Sequence, residues 1–472
     1  MAPSLPKSSP VEAASVATLS AALPLTFILT GLAAFMGGVV WLMVDPDLLA
    51  AYHYHQNTIA ATHLFVLGWI CSVIMGAMYQ LVPVALETRL YSVSLAWWQF
   101  AFHVIGFPGM VWMFHVSNLK QVGHFGSVLA VGVGLFVYNL ARTLARAPKP
   151  NVVVAGIAAA LFWISLTVLA GLSIAAGKCV YESADALAPA SPLGVLVRGL
   201  RRVGLYLARF DSLSALHAHA HLGVVGGFTM LILGVSFKLV PMFTISRVQS
   251  PRRAAAAWLL VNLGLAGTGA AMLTHSPWKM TWALVIVAGL ALYGWELVAM
   301  LRARQRRPLD GGVKCFLSAV ALLGPLAVLA VLLSWPGLPL NAGTGQMENA
   351  YGFLGVLGFV TLAIIGMLYK IVPFLVWFGC YSRRIGREPV PALADLYSAR
   401  WQAVGYWFHL AGLAVTTTAI LAASPAGVRC GGVCLVVSAG TLVFNTGLML
   451  THFFRPGWGA HSAPAATQPQ TA

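Results

Sequence analysis

Asp211-Ser-Leu-Ser-Ala-Leu-His217-Ala-His219-Ala-His221 sets three imidazoles at alternate positions at the head of a long apolar run. A neutral imidazole offers a nitrogen lone pair to iron or copper at ordinary pH. A polar ring entering an apolar helix needs a partner, so these histidines are candidate metal ligands. On a helix, at about 100° per residue, His217 and His221 share a face and His219 points about 200° away. One helix can then serve two sites. His63 opens another apolar run. Two histidines facing each other across adjacent helices can supply both axial ligands of a haem iron. The pair expected to do so is His63 with His221, and His219 is expected to serve a second site. His217 is expected to cap its helix or contact headgroups. His217, His103 and His409 are the weaker candidate ligands. His103 and His409 lie mid-run, where helix packing is the first reading and a metal or proton role the alternative. His53 and His55, in Tyr-His-Tyr-His, suit copper, a haem propionate or an interfacial aromatic belt. His115 and His124 flank one loop.

The runs carrying His63 and His221 belong to a repeat. His63–Pro83 reads HLFVLGWICSVIMGAMYQLVP, His221–Pro241 reads HLGVVGGFTMLILGVSFKLVP, and Phe353–Pro373 reads FLGVLGFVTLAIIGMLYKIVP. Without gaps, Gly68, Gly226 and Gly358 coincide, as do Gly76, Gly234 and Gly366, and each copy closes on Val-Pro. The copies start 158 and 132 residues apart, room for four membrane crossings each. His63 and His221 fall on one repeat position, with Phe353 as the third equivalent. Span ten offers Asn349 and Tyr351 near that level, and His219 is expected to face them.

Positioning these residues requires membrane helices. The 472 residues are 59% hydrophobic and only 8% charged, against about 25% charged in soluble domains. The net charge of +16 reads as basic loops between apolar spans rather than as a nucleic-acid surface. Backbone groups cannot go unpaired in lipid, so the spans must be helical. The expected fold is an all-α polytopic membrane protein of about 12 transmembrane helices. They are placed at 18–44, 57–83, 91–116, 125–145, 152–177, 213–242, 253–274, 280–303, 314–336, 347–378, 399–423 and 430–454. They form three pseudo-equivalent four-helix units, approximately 18–177, 178–336 and 337–454. Residues 455–472 read as a flexible tail. Lys/Arg-rich loops after even-numbered spans place both termini in the cytoplasm of a bacterial-type inner membrane. Leu193–Phe210, within the outer loop 178–212, reads as an amphipathic surface helix. The first apolar run lacks a signal-peptide n-region and reads as a retained span. Glu296, Lys238 and Lys370 sit near the inner ends of their spans and read as snorkelling groups. Cys430 and Cys434, spaced C-x3-C, are a weak metal or disulfide signal, and the six cysteines otherwise read as isolated.

Twelve helices in three units, with histidines on spans two and six, resemble subunit I of the haem-copper oxidase superfamily, including cbb3-type oxidases and nitric oxide reductases. The closest motif is His219-Ala-His221-Leu-Gly-Val-Val-Gly-Gly with Phe237-Lys238-Leu239-Val240-Pro241. The resemblance implies one or two haem b groups. It implies His219 on a high-spin haem, and His221 with His63 on a low-spin haem. It further implies cytochrome c, or a c-type subunit, as electron donor, and O2 or NO reduction. In the family the H-x-H pair sits on helix ten, and copper is held by helices six and seven. Here H-x-H is on span six, and span seven has no His-His pair. A complete copper site and cytochrome c oxidase activity of ordinary magnitude are therefore not expected. The chain also resembles NnrS, a haem- and copper-containing membrane protein linked to nitric oxide metabolism, without its His-Glu-Met pattern. The alternatives are a non-catalytic haem- or copper-binding NO-response protein, and a transporter built from internal repeats.

Overall fold

The structure, a computed structural model, describes residues 21–51, 54–147, 151–183 and 211–455, with scattered positions between 191 and 206. The expected surface helix at 193–210, the tail beyond 455, the start of the first span and His53 lie wholly or largely outside the described residues. Twelve long helices cross the fold: α1 Ala22–Val44, α2 Gln56–Ala85, α3 Val93–His115, α4 Leu119–Leu144, α5 Val152–Ser183 and α6 Ser212–Thr244. They continue with α7 Pro251–Leu273, α8 Lys279–Arg302, α9 Gly311–Leu333, α10 Ala342–Arg384, α11 Ala399–Leu421 and α12 Pro425–Thr451. Among the described residues there is no strand. Eleven of the helices are long and apolar enough to span a bilayer, so the chain is a multi-pass membrane protein. The twelfth, α3, has the same 23-residue length as α1. Its hydropathy is lowered by Gln99 and His103, both fully buried, and by Trp97, Trp98 and Trp112, which are exposed near its ends. Tryptophan at helix ends suits the membrane interface.

Burial separates two classes of helix. In α2, α6 and α10, 61, 72 and 78% of the apolar window is buried, against 17 to 50% in the other eight spans. These are the three repeat helices, and they form the centre. Ile74, Ile232 and Ile364, at one repeat position, line a common apolar space with Ala77, Val235 and Met367 at another. Outside them, α3 packs along α4, α7 along α8, and α11 along α12; α12 also lies along α1, which closes the ring.

Local chemistry repeats with the helices. Ser92, Ser250 and Ser398 cap α3, α7 and α11, each hydroxyl accepting the N–H three residues on. Behind each cap a side chain from the next helix accepts the serine's own N–H: Asn139 at 3.0 Å, Glu296 at 3.1 Å and Asn445 at 3.0 Å. Glu296 is fully buried and paired with Arg253 at 2.6 Å, so it is not a snorkelling group. A buried carboxylate with two N–H donors and a guanidinium costs less there than stretched towards water unpaired. Lys370 is not snorkelling either; it pairs with Asp310, the cap of α9. Lys238 is exposed, as expected. In α9, Leu322 interrupts the helix three residues before Pro325. That proline has no N–H to give the carbonyl of Ala321.

The aligned glycines bring each central helix against the helix that precedes it. A Cβ on Gly234 would lie 2.8 Å from the Gly156 Cα, one on Gly76 2.8 Å from the Pro24 carbonyl oxygen, and one on Gly366 2.5 Å from the Gly312 carbonyl oxygen. At Gly234 backbone meets backbone, so no side chain can yield. Gly234→Val is expected to lower stability by about 1–3 kcal/mol or more, measured as unfolding of the purified protein in detergent. An unchanged transition would mean that α5 and α6 do not pack this closely.

Candidate functional site

Each central helix begins at a polar cap. The His55 ring accepts the Asn57 N–H at 3.3 Å, Asp211 accepts that of Ser214 at 3.0 Å, and Asn341 accepts that of Thr344 at 3.0 Å. The Ser214 N–H holds the Asp211 carboxyl below the usual carboxylate range. Two to three turns later all three helices do the same unusual thing. Directly after His63, after His221 and after Phe353, the backbone widens into a π-helical stretch: Leu64–Cys71, Leu222–Thr229 and Leu354–Val360. In it each N–H reaches the carbonyl five residues back. Thr229 and Thr361, at one repeat position, close two of these turns by donating to Val224 and Val356 at 2.9 and 2.8 Å. π-Helical turns inside long helices concentrate at functional positions. Nothing in composition announced them; the paired threonines were the only sequence signal.

The imidazoles at this level are uniformly oriented. His63 Nδ1 lies 2.8 Å from the Ile59 carbonyl, His221 Nδ1 2.8 Å from that of His217, and His219 Nδ1 3.0 Å from that of Thr167. A carbonyl only accepts, so in each ring Nδ1 carries the proton and Nε2 keeps its lone pair. This backbone anchoring is what metal-ligating histidines show, because it fixes the tautomer and raises ligand basicity.

Each ring also has a defined flank. His63 stacks on Phe114 of α3 at 4.8 Å and 27°. His219 lies over Gly171 of α5, whose added Cβ would sit 2.9 Å from the ring. His221 stacks on Tyr351 of α10 at 5.8 Å and 25°, with the phenol oxygen 3.4 Å from Nε2.

These neighbours correct the expected directions. His219 does not look towards Asn349 and Tyr351; it faces α5 and lies in electrostatic reach of His63. His221 is the ring that meets Tyr351, and the charges it feels are those of Lys279 and Glu348. The 200° separation of the two rings holds, but they are exchanged between neighbours. Asn349 is committed elsewhere. Its amide donates to the Leu49 and Ala51 carbonyls at 3.1 and 3.0 Å, and Gln346 donates to that of Ala50 at 2.9 Å, so α10 clasps the loop between α1 and α2. The same loop reaches α6, where the Tyr54 hydroxyl hydrogen-bonds His217 Nε2. His217 therefore links a loop to a helix rather than meeting headgroups.

His103 and His409 sit at related repeat positions and differ from His63, His219 and His221. His103 Nε2 meets the Ser72 hydroxyl at 2.8 Å, and His409 Nε2 donates to the Leu357 carbonyl at 2.9 Å. Both are held through Nε2, the nitrogen opposite the Nδ1 that anchors the other three rings. His115 pairs with Asn57 at 3.0 Å and His124 with Gln121 at 3.1 Å. Among the described residues no three His, Cys, Asp or Glu side chains converge as a metal-ion site. A haem needs only one or two axial nitrogens, and the Nε2 lone pairs of His63, His219 and His221 fit that demand. Thr167, Gly171 and Phe114, which orient these rings, were not singled out in the sequence because their helices approach only in the fold. Compared with known proteins, the chain matches no protein-family model and no curated protein.

Proposed function

We propose that the chain is a haem b-binding redox protein of the inner membrane, of haem-copper oxidase or nitric oxide reductase character. The observation that carries this reading is the common anchoring of three imidazoles, each with Nδ1 held by a backbone carbonyl, which leaves the lone pair on Nε2. His63 and His219 would hold one haem between them. His221 would hold a second, beside Tyr351. Bound there, haem would supply one-electron redox chemistry and, where an axial position stays open, a binding site for O2 or NO. The chain's own residues supply the rest. Ile59, His217 and Thr167 fix the ring tautomers, Phe114 and Gly171 set the ring planes, and apolar helix faces exclude water. Arginine-rich loops after the even-numbered helices support cytoplasmic termini. That orientation puts the histidines near the outer face, within reach of a cytochrome c or c-type donor.

Purified protein is expected to yield haem b on pyridine haemochrome analysis, one or two per chain. Colourless protein that takes up no added haemin would overturn the reading and favour the transporter alternative. Consumption of NO or O2 by the coloured protein separates an oxidoreductase from a gas-binding NO-response protein.

A further inference from the structure

The apolar space at the centre of α2, α6 and α10 has a volume of about 90 Å³. It begins ten residues beyond His63, at Val73, or roughly 15 Å further along the helix at 1.5 Å per residue. It is thus separate from the histidine level. Repeat-equivalent positions supply nearly all its wall, as at Ala77, Val235 and Met367, so it follows from the way three copies of one helix meet. Small side chains at some of these positions leave a gap that larger ones would close.

The wall is almost wholly apolar. Its one hydroxyl, Ser236, is turned away: it donates to the Leu233 carbonyl at 2.7 Å and lies 2.9 Å from the Tyr293 hydroxyl on α8. A buried water needs two to four polar partners, and cavities lined only by hydrocarbon stay dry and take apolar guests. Met78 and Met367 add two polarizable thioethers to the lining. Such groups gain most from contact with a polarizable guest.

We propose that this central cavity is a binding site for one small apolar molecule, of the size and chemistry of xenon or a diatomic gas. The site does not depend on the histidines, so it stands or falls separately from the haem reading.

The probe is xenon, and the reporters are the cavity methionines. The protein is labelled with methyl-13C methionine, placed in lipid nanodiscs and followed by NMR at rising xenon pressure. The Met78 and Met367 methyl signals are expected to shift along a saturating curve. Methionines elsewhere should drift linearly as xenon dissolves in lipid. Ala77→Leu adds three carbons inside the cavity and Ala363→Val adds two. Each is expected to abolish the saturating shift while the remaining methionine signals keep their native positions. The two variants guard against a failure to fold in either one. If the Met78 and Met367 signals move no more than lipid-facing ones in wild type, the cavity holds no guest. If both filled variants still show saturation, the bound xenon lies elsewhere. Either result overturns the proposal.

Discussion

Replacing His219 with alanine is expected to abolish the bis-imidazole absorbance of the haem-loaded protein, as replacing His63 does. His221→Ala should leave that spectrum in place and remove the response of a second haem to CO. The reason is positional. His219 is the α6 histidine within electrostatic reach of His63, whereas His221 stacks on Tyr351. Tyr351, not a second imidazole, stands beside His221, so a haem held there would be the one able to bind gas. Free imidazole added to His219→Gly should restore the low-spin band, which a merely structural histidine would not do. If His221→Ala erases the bis-imidazole band and His219→Ala spares it, repeat position decides the pairing and His219 is not the partner of His63.

Glu296→Ala is expected to be the most destabilising single change away from the histidines, at about 3–5 kcal/mol for breaking one side of a buried ion pair. The carboxylate accepts from the Gln249 and Ser250 N–H groups at 2.5 and 3.1 Å and binds Arg253 through Nη2 at 2.6 Å and Nε at 2.8 Å. Removing it strands a guanidinium and two helix-start donors at once. Asn139→Ala and Asn445→Ala remove neutral partners at the equivalent places and should cost about 1–3 kcal/mol each. Glu296→Leu combined with Arg253→Leu should recover much of the loss, because an apolar pair carries no desolvation cost. Denaturation of the four variants in one detergent gives the ranking. Equal losses for Glu296→Ala and Asn139→Ala would show that the charge adds nothing.

The spans were legible in the sequence because lipid imposes a length and an apolar composition on every helix. Thus 399–423 was expected and Ala399–Leu421 is found. The 347–378 span proves longer, Ala342–Arg384, because its polar first turns are helical for a reason composition does not carry: Asn341 caps them and the loop between α1 and α2 rests on them. The half-turn between His219 and His221 was also legible, since it follows from helix geometry alone. Which neighbour each ring meets was not. That depends on the order of helices around the centre, and a linear pattern carries no such order. The role of Glu296 was missed for a related reason. Its partners, Gln249, Ser250 and Arg253, lie more than 40 residues away in sequence.

The closed ring has a consequence for how helices in such chains are compared. Because α12 lies along α1 and an even number of helices brings the start of α1 and the end of α12 to one face, no described helix is structurally first. A permuted chain that opened with α5, ran through α12 and continued through a linker into α1–α4 would keep every helix contact described above. In that chain the H-x-H helix would carry the number two, although its neighbours were unchanged. Helix numbers in this fold are therefore labels with a period of four. A ligand histidine is located by the two helices beside it, and a count from the N-terminus fixes only its place within a unit.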